Sequence, residues 1–98
     1  MVYDLIVKPD AENDLKEALN WYQRQNTNLT EKLLFNIDKG LEKIQRNPEH
    51  FQRKYKEIRI IFIKVFPYGI FYTIEENTIF VHAILHTKQN PAILDKRV

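Results

Sequence analysis

The side chains able to move a proton or hold an anion fall late in this chain. His50, His82 and His86 are the three histidines, the residue type whose ordinary pKa lies nearest neutrality. A basic set, Arg53, Lys54, Lys56, Arg59 and Lys64, occupies the middle of the sequence, with Tyr55 available to stack on a base. The 98 residues include no cysteine, which excludes thiolate chemistry, disulfides and a classical zinc finger and suits a reducing cytoplasm. No metal-ligand spacing and no cofactor motif is present, so neither a metal nor a cofactor is expected. The chemistry left is proton transfer by histidine and binding of anions.

Each candidate has two readings. His86 closes an apolar stretch and could act as acid or base at a strand end, or serve as a structural hydrogen-bonding group. His82, between Val81 and Ala83, reads as a capping or packing residue, and His50 as a solvent-facing loop residue. The basic set either contacts RNA or an acidic partner, or is a solvated loop whose lysines guard a sheet edge. Arg59 alternates with Ile61, Ile63 and Val65, which places it on one face; its alternative is a salt bridge to a carboxylate such as Glu75. Trp21 and Tyr22 read as packing rather than a ligand site. Charge is uneven: residues 1–45 carry six basic and eight acidic side chains, a balance of −2, and residues 46–64 six basic and two acidic, a balance of +4.

The elements that must position these residues can be read from pattern. One domain spanning 1–98 is expected from the length. Val2–Lys8 alternates as a strand and ends at Pro9. Asp10 is the expected cap of a helix reaching about Gln25, with Ala11, Leu15, Ala18, Leu19 and Tyr22 as its apolar stripe. Asn28 and Glu31 form a capping box for a second helix carrying Leu33, Leu34, Ile37, Leu41 and Ile44, which ends before Pro48. Gly40 lies inside it at a cost of ~1 kcal/mol relative to Ala, unless close packing against the first helix requires it. Three strands follow, Ile58–Val65, Tyr68–Glu75 and Thr78–His86. The expected fold is α+β: an N-terminal strand, an antiparallel helical hairpin and a three-stranded antiparallel meander, giving a four-stranded sheet with the helices on one face. The meander strands are apolar on both faces, so the second face must lie under the C-terminal tail or under another protein. With no secretion signal and no run of 18 apolar residues, a cytoplasmic protein that does not engage a membrane is expected.

Taken in order, Ala11-Glu12-Asn13-Asp14-Leu15, Trp21-Tyr22, Asn47-Pro48-Glu49, Ile58-Arg59, Phe66-Pro67-Tyr68-Gly69-Ile70-Phe71-Tyr72 and His86 through Pro91 resemble the RelE/ParE superfamily of toxins from type II toxin–antitoxin modules. The resemblance spans nearly the whole chain. It implies a growth-arresting or plasmid-stabilising toxin that is silenced by a cognate antitoxin in a hetero-oligomer. Ile61, Ile63, Val65 and Phe71 are the expected antitoxin contacts, and the basic set, with the family's arginine at Arg59, the expected target contact.

The superfamily holds two activities, cleavage of messenger RNA on the ribosome and inhibition of DNA gyrase. Cleavage requires a base for the 2′-hydroxyl, an acid for the departing oxygen and cations at the phosphorane. The cleaving branch commonly has an arginine where this chain has Gly69, and a C-terminal Tyr or His where Ala92 to Val98 has neither. Where many relatives read His-x-x-Arg-x-Pro, this chain reads His86-Thr87-Lys88-Gln89-Asn90-Pro91, and a lysine does not reproduce a bidentate arginine contact. The favoured expectation is therefore a ParE-like, non-enzymatic inhibitor acting by protein binding. The alternatives are a ribosome-dependent nuclease using Arg59, His86 and Lys88, and a non-toxic binding module.

Overall fold

The computed structural model describes residues 2–98 and has five strands, two helices and a short 3-10 helix. In chain order these are β1 (Asp4–Val7), α1 (Pro9–Gln25), α2 (Thr27–Arg46), β2 (Arg53–Tyr55), β3 (Ile58–Phe62), β4 (Tyr68–Glu75), β5 (Thr78–His86) and the 3-10 helix Pro91–Lys96. The class is the expected α+β, but the sheet is mixed and five-stranded, in the order β1-β5-β4-β3-β2, rather than four-stranded. β1 crosses over through the helices to pair in parallel with β5, Asp4 opposite Thr78 and Val7 opposite Val81. The added strand, β2, is three exposed polar and aromatic residues folded back onto β3, with Arg53 opposite Arg59. Its sequence, Arg-Lys-Tyr, has no apolar alternation by which to recognise it.

The helix boundaries differ from expectation by a residue or two. α1 starts at Pro9, whose missing N–H costs nothing at that position, and Lys8 stands at the cap without a side-chain bond. Asp10 lies in the first turn instead. Asn26, not Asn28, joins the helices: its N–H donates to Tyr22 O at 2.8 Å, closing α1, while its side chain accepts from Asn28 N at 3.0 Å, opening α2. One asparagine thus satisfies orphan groups at both ends of the hairpin.

Two apolar clusters flank the sheet. Leu33, Ile37 and Ile44 of α2 and Ala11 and Ala18 of α1 pack on Ile61, Ile63, Ile70, Tyr72, Ile79, Val81 and Ile84. Gly40 lets α2 approach the sheet and not α1, because a Cβ there would stand 2.9 Å from Ile70 Cδ1 and 3.2 Å from Ile63 Cγ2. On the other face Ile58, Ile60, Phe71, Ala83 and Leu85 are covered by Leu94 and Ile93 of the 3-10 helix. The C-terminal tail therefore hides much of the second apolar face, one of the two covers that its greasy composition required.

A bulge in β5 lets both clusters share this strand. Tyr72 faces Val81 and Phe71 faces Ala83, leaving His82 as the extra residue. Before the bulge Ile79 and Val81 face the helices; after it Ala83 and Leu85 face the tail. The N–H of Ile84 that follows donates to Asp14 Oδ2 at 3.0 Å.

Candidate functional site

The loop after α2 is held by two side chains from the sheet. Tyr72 donates its hydroxyl to Pro48 O at 2.7 Å, and burial raises its pKa to about 12 against the lowering influence of nearby Arg59. Arg59 donates from Nη1 to Glu49 O at 3.0 Å and Phe51 O at 2.7 Å. The Asn47-Pro48-Glu49 segment is thereby clamped, and no ion pair joins Arg59 to Glu75 or to any other carboxylate among the described residues.

His86 lies elsewhere. It is opposite Tyr68, four residues along β4 from Tyr72, the partner of Arg59, which is about 13 Å of strand. Its Nδ1 accepts the backbone N–H of Lys88 at 3.0 Å, and its own N–H donates to Gln89 Oε1 at 2.8 Å, so the ring is part of the turn that ends β5. The side chains of Arg59 and His86 consequently do not converge, and Lys88 stands in an exposed turn beyond them. Gly69, where the cleaving branch commonly carries arginine, has Ile60 lying across it, and a Cβ there would stand only 2.8 Å from Ile60 Cδ1.

The basic set is also dispersed. Arg53 pairs with Glu57 at 3.7 Å across the β2–β3 turn, and Lys56 lies over the Tyr55 ring at 5.1 Å. Lys54 and Lys64 border two different grooves, one on each side of Phe62. The first, about 430 Å³, runs between α2 and β3 along Phe35, Lys39, Lys43, Phe51, Ile61 and Lys64. The second, about 290 Å³, crosses the tail-facing side of the sheet along Ile60, Gly69, Phe71 and Leu85.

Phe62 is 59% exposed and walls both grooves. Backbone alternation explains why this end of β3 is open. Ile63 N donates inward to Tyr68 O at 3.1 Å and Ile60 N donates outward to Gln52 O at 3.1 Å, so the peptide groups of Phe62 face outward beyond the end of β2. After Phe62 the chain leaves the sheet, and Val65 adopts φ 75° with 76% of its surface exposed. A left-handed β-branched residue is strained, and such strain clusters at functional surfaces. Of the four expected antitoxin contacts, Ile61 and Ile63 face the helices, Phe71 faces the tail and Val65 faces solvent. They do not share one surface, because Phe71 pairs with Ile60 on the tail side of the sheet and Val65 lies beyond Phe62, where β3 ends; Phe62 and Phe35 are exposed apolar residues the pattern did not single out.

Asp14, Arg97 and His82 form a polar junction that sequence alone did not signal. Arg97 makes a fork to Asp14, Nη1–Oδ2 at 2.5 Å and Nη2–Oδ1 at 3.0 Å, and reaches His82 O at 3.3 Å. The hydrogen bond to Asp14 raises the Arg97 pKa further, against the lowering effect of burial. His82 is buried with Nε2 2.7 Å from Thr73 Oγ1; desolvation lowers its pKa, Lys8 adds to the lowering and Glu75 opposes it. No group of three or more acidic or histidine side chains is placed to hold a metal among the described residues. No helix there is long and apolar enough to cross a membrane.

Fold and site together define a small α+β domain that offers grooves and an open strand edge, with Arg59 and His86 apart along the sheet. Residues 5–91 match the family model described as ParE toxin of type II toxin-antitoxin system, parDE, and the chain belongs to that family. It is a toxin component of a type II toxin–antitoxin system within the RelE/ParE superfamily. Eleven chains of solved structures match it. One is described as the chromosomal ParDE TA system from P. aeruginosa, superposing with TM-score 0.78 at 13% identity over 87% of this chain and 96% of that one. No curated protein matches in sequence.

Proposed function

We propose that this toxin acts by binding protein, with DNA gyrase as its target, and that a cognate antitoxin silences it by covering the two grooves that meet at Phe62. The observation that carries the antitoxin reading is the exposed Phe62 beside outward-facing peptide groups at the end of β3. A free strand edge next to an apolar anchor suits an extended segment that adds a strand and seats a side chain in each groove. Lys39, Lys43 and Lys64 border the groove between α2 and β3, so the segment that fits is apolar with acidic residues. Ile61, Ile63 and Phe71 would form the groove walls and Val65 the exposed rim. The complex would be a hetero-oligomer in the cytoplasm.

Separation of Arg59 from His86 favours inhibition over RNA cleavage. The gyrase target is taken from the ParE family. Expression in a bacterial host is expected to arrest growth, and purified protein to inhibit gyrase supercoiling while leaving ribosome-bound message intact. Cleaved message would establish the nuclease reading instead, and normal growth with abundant soluble protein would establish a non-toxic binding module. Phe62→Glu is expected to weaken antitoxin binding at least ~10-fold, a loss of ~1.4 kcal/mol, while the melting temperature stays unchanged. An unaltered affinity would move the antitoxin off this surface.

A further inference from the structure

A third cleft, about 310 Å³, lies between α1 and the end of β5, on the helix side of the sheet. Its wall is a chain of edge-to-face rings: Trp21 to Tyr22 at 4.8 Å, Tyr22 to Tyr68 at 6.3 Å and Tyr68 to His86 at 5.3 Å between centroids. Tyr22 is packed, as its helical spacing suggested, against Phe66 at 5.1 Å. Trp21 is not: half of its surface is exposed. The expectation that both residues are packing therefore holds for Tyr22 alone.

Two carboxylates line the same cleft, Asp14 and Glu17. Asp14 is neutralised by the fork from Arg97. Glu17 accepts one weak bond from Asn13 at 3.3 Å and forms no ion pair among the described residues. The unbalanced charge of the cleft is therefore negative in a chain whose net charge is +2. Aromatic faces attract cations through their quadrupole, and a carboxylate beside them adds a directed acceptor.

We propose that this cleft binds an arginine side chain presented by a protein partner. Indole and phenol rings suit a planar guanidinium better than a compact ammonium, and Glu17, held only by the 3.3 Å bond from Asn13, is an acceptor for its donors. Nucleic acid is disfavoured because its phosphates would meet Glu17. The volume stands at the lower end of the ~300–1,000 Å³ typical of ligand pockets, enough for one long side chain. The proposal shares with the preceding reading only the premise that the partner is a protein.

Trp21 is the sole tryptophan, so its fluorescence reports on the cleft directly. The probe is the peptide acetyl-Gly-Arg-Gly-amide at low ionic strength, beside its citrulline and lysine counterparts. The arginine peptide is expected to give a saturable change with Kd on the order of 1–10 mM, consistent with one unconstrained contact. Citrulline, which is the uncharged isostere, and lysine are expected to bind at least about tenfold more weakly, as is the arginine peptide to Glu17→Gln, whose exposed site leaves the melting temperature in place. Absence of saturation by about 50 mM, an equal response to citrulline or lysine, or undiminished binding by a folded Glu17→Gln overturns the proposal. The measurement uses no antitoxin and no gyrase, so its failure is distinct from failure of the growth or supercoiling assays.

Discussion

At the scale of single residues, burial and backbone conformation separate the side chains that hold the structure from those free to meet a partner. His82 illustrates the first kind. Its folded pKa is depressed by desolvation, with Lys8 acting in the same direction, so the folded state resists protonation while the unfolded chain protonates near pH 6.5. The unfolded form is therefore favoured as pH falls below about 6.5, until the depressed folded pKa is reached. Stability is expected to be full above about pH 6.5 and to fall by up to ~1.4 kcal/mol per unit from there down to the folded pKa. Urea titrations of wild type and His82→Gln between pH 7.5 and 5 should show a smaller acid loss in the variant; parallel curves would assign the loss to other groups. Val65 illustrates the second kind. At φ 75° and largely exposed, it gains nothing from its side chain in the free protein. Val65→Gly is expected to leave stability unchanged or raise it by up to ~1 kcal/mol, against the ~0.5–1 kcal/mol loss glycine brings in ordinary strand geometry. A drop of that size in thermal unfolding would show that the conformation carries no strain.

Among the elements, α2 and the sheet are fitted at a single point. Gly40 is a poor helix residue, and Ala there would gain ~1 kcal/mol on propensity alone. Its Cβ would press on Ile70 and Ile63, both buried between α2 and the sheet. Overpacking of this kind costs ~1–3 kcal/mol, so Gly40→Ala is expected to be net destabilising by about 1 kcal/mol in chemical denaturation. A stabilised variant would mean that the two isoleucines yield freely. The helical periods of α1 and α2 and the long alternating strands were legible because each buries a stripe of its own residues. β2 was not, since three polar residues become a strand only when β3 lies beside them.

For the molecule as a whole, the Asp14–Arg97 fork ties α1, the β5 bulge and the C-terminal tail into one unit. The two side chains are only 10% and 18% exposed, so removing one leaves a charge with little water to replace its partner. Arg97→Met is expected to cost about 2–3 kcal/mol and to loosen the tail over Ile58, Ile60 and Leu85. In a double-mutant cycle with Asp14→Asn the coupling should exceed ~1 kcal/mol. Additive effects would mean that the tail is held by Leu94 and Ile93 alone. The tail leaves the Phe62 end of the sheet uncovered, the surface proposed above to receive an antitoxin.

The sequence by itself determined the α+β class, the hairpin followed by a meander and the demand for a second cover on the sheet, because these follow from local periodicity and from counting apolar residues; the family resemblance rested instead on the order of short motifs from Ala11 to Pro91. Tertiary structure decided the rest. Whether Arg59 points at a substrate or at the carbonyls of Glu49 and Phe51 depends on where the α2–β2 loop lands. Which of Ile61, Phe62 and Val65 is free depends on where β3 ends. Asp14 and Arg97 lie 83 residues apart, and no spacing rule reaches that far. The charges, rings and strand edges were all present in the string of residues, but their meaning depended on which of them the fold left without a partner.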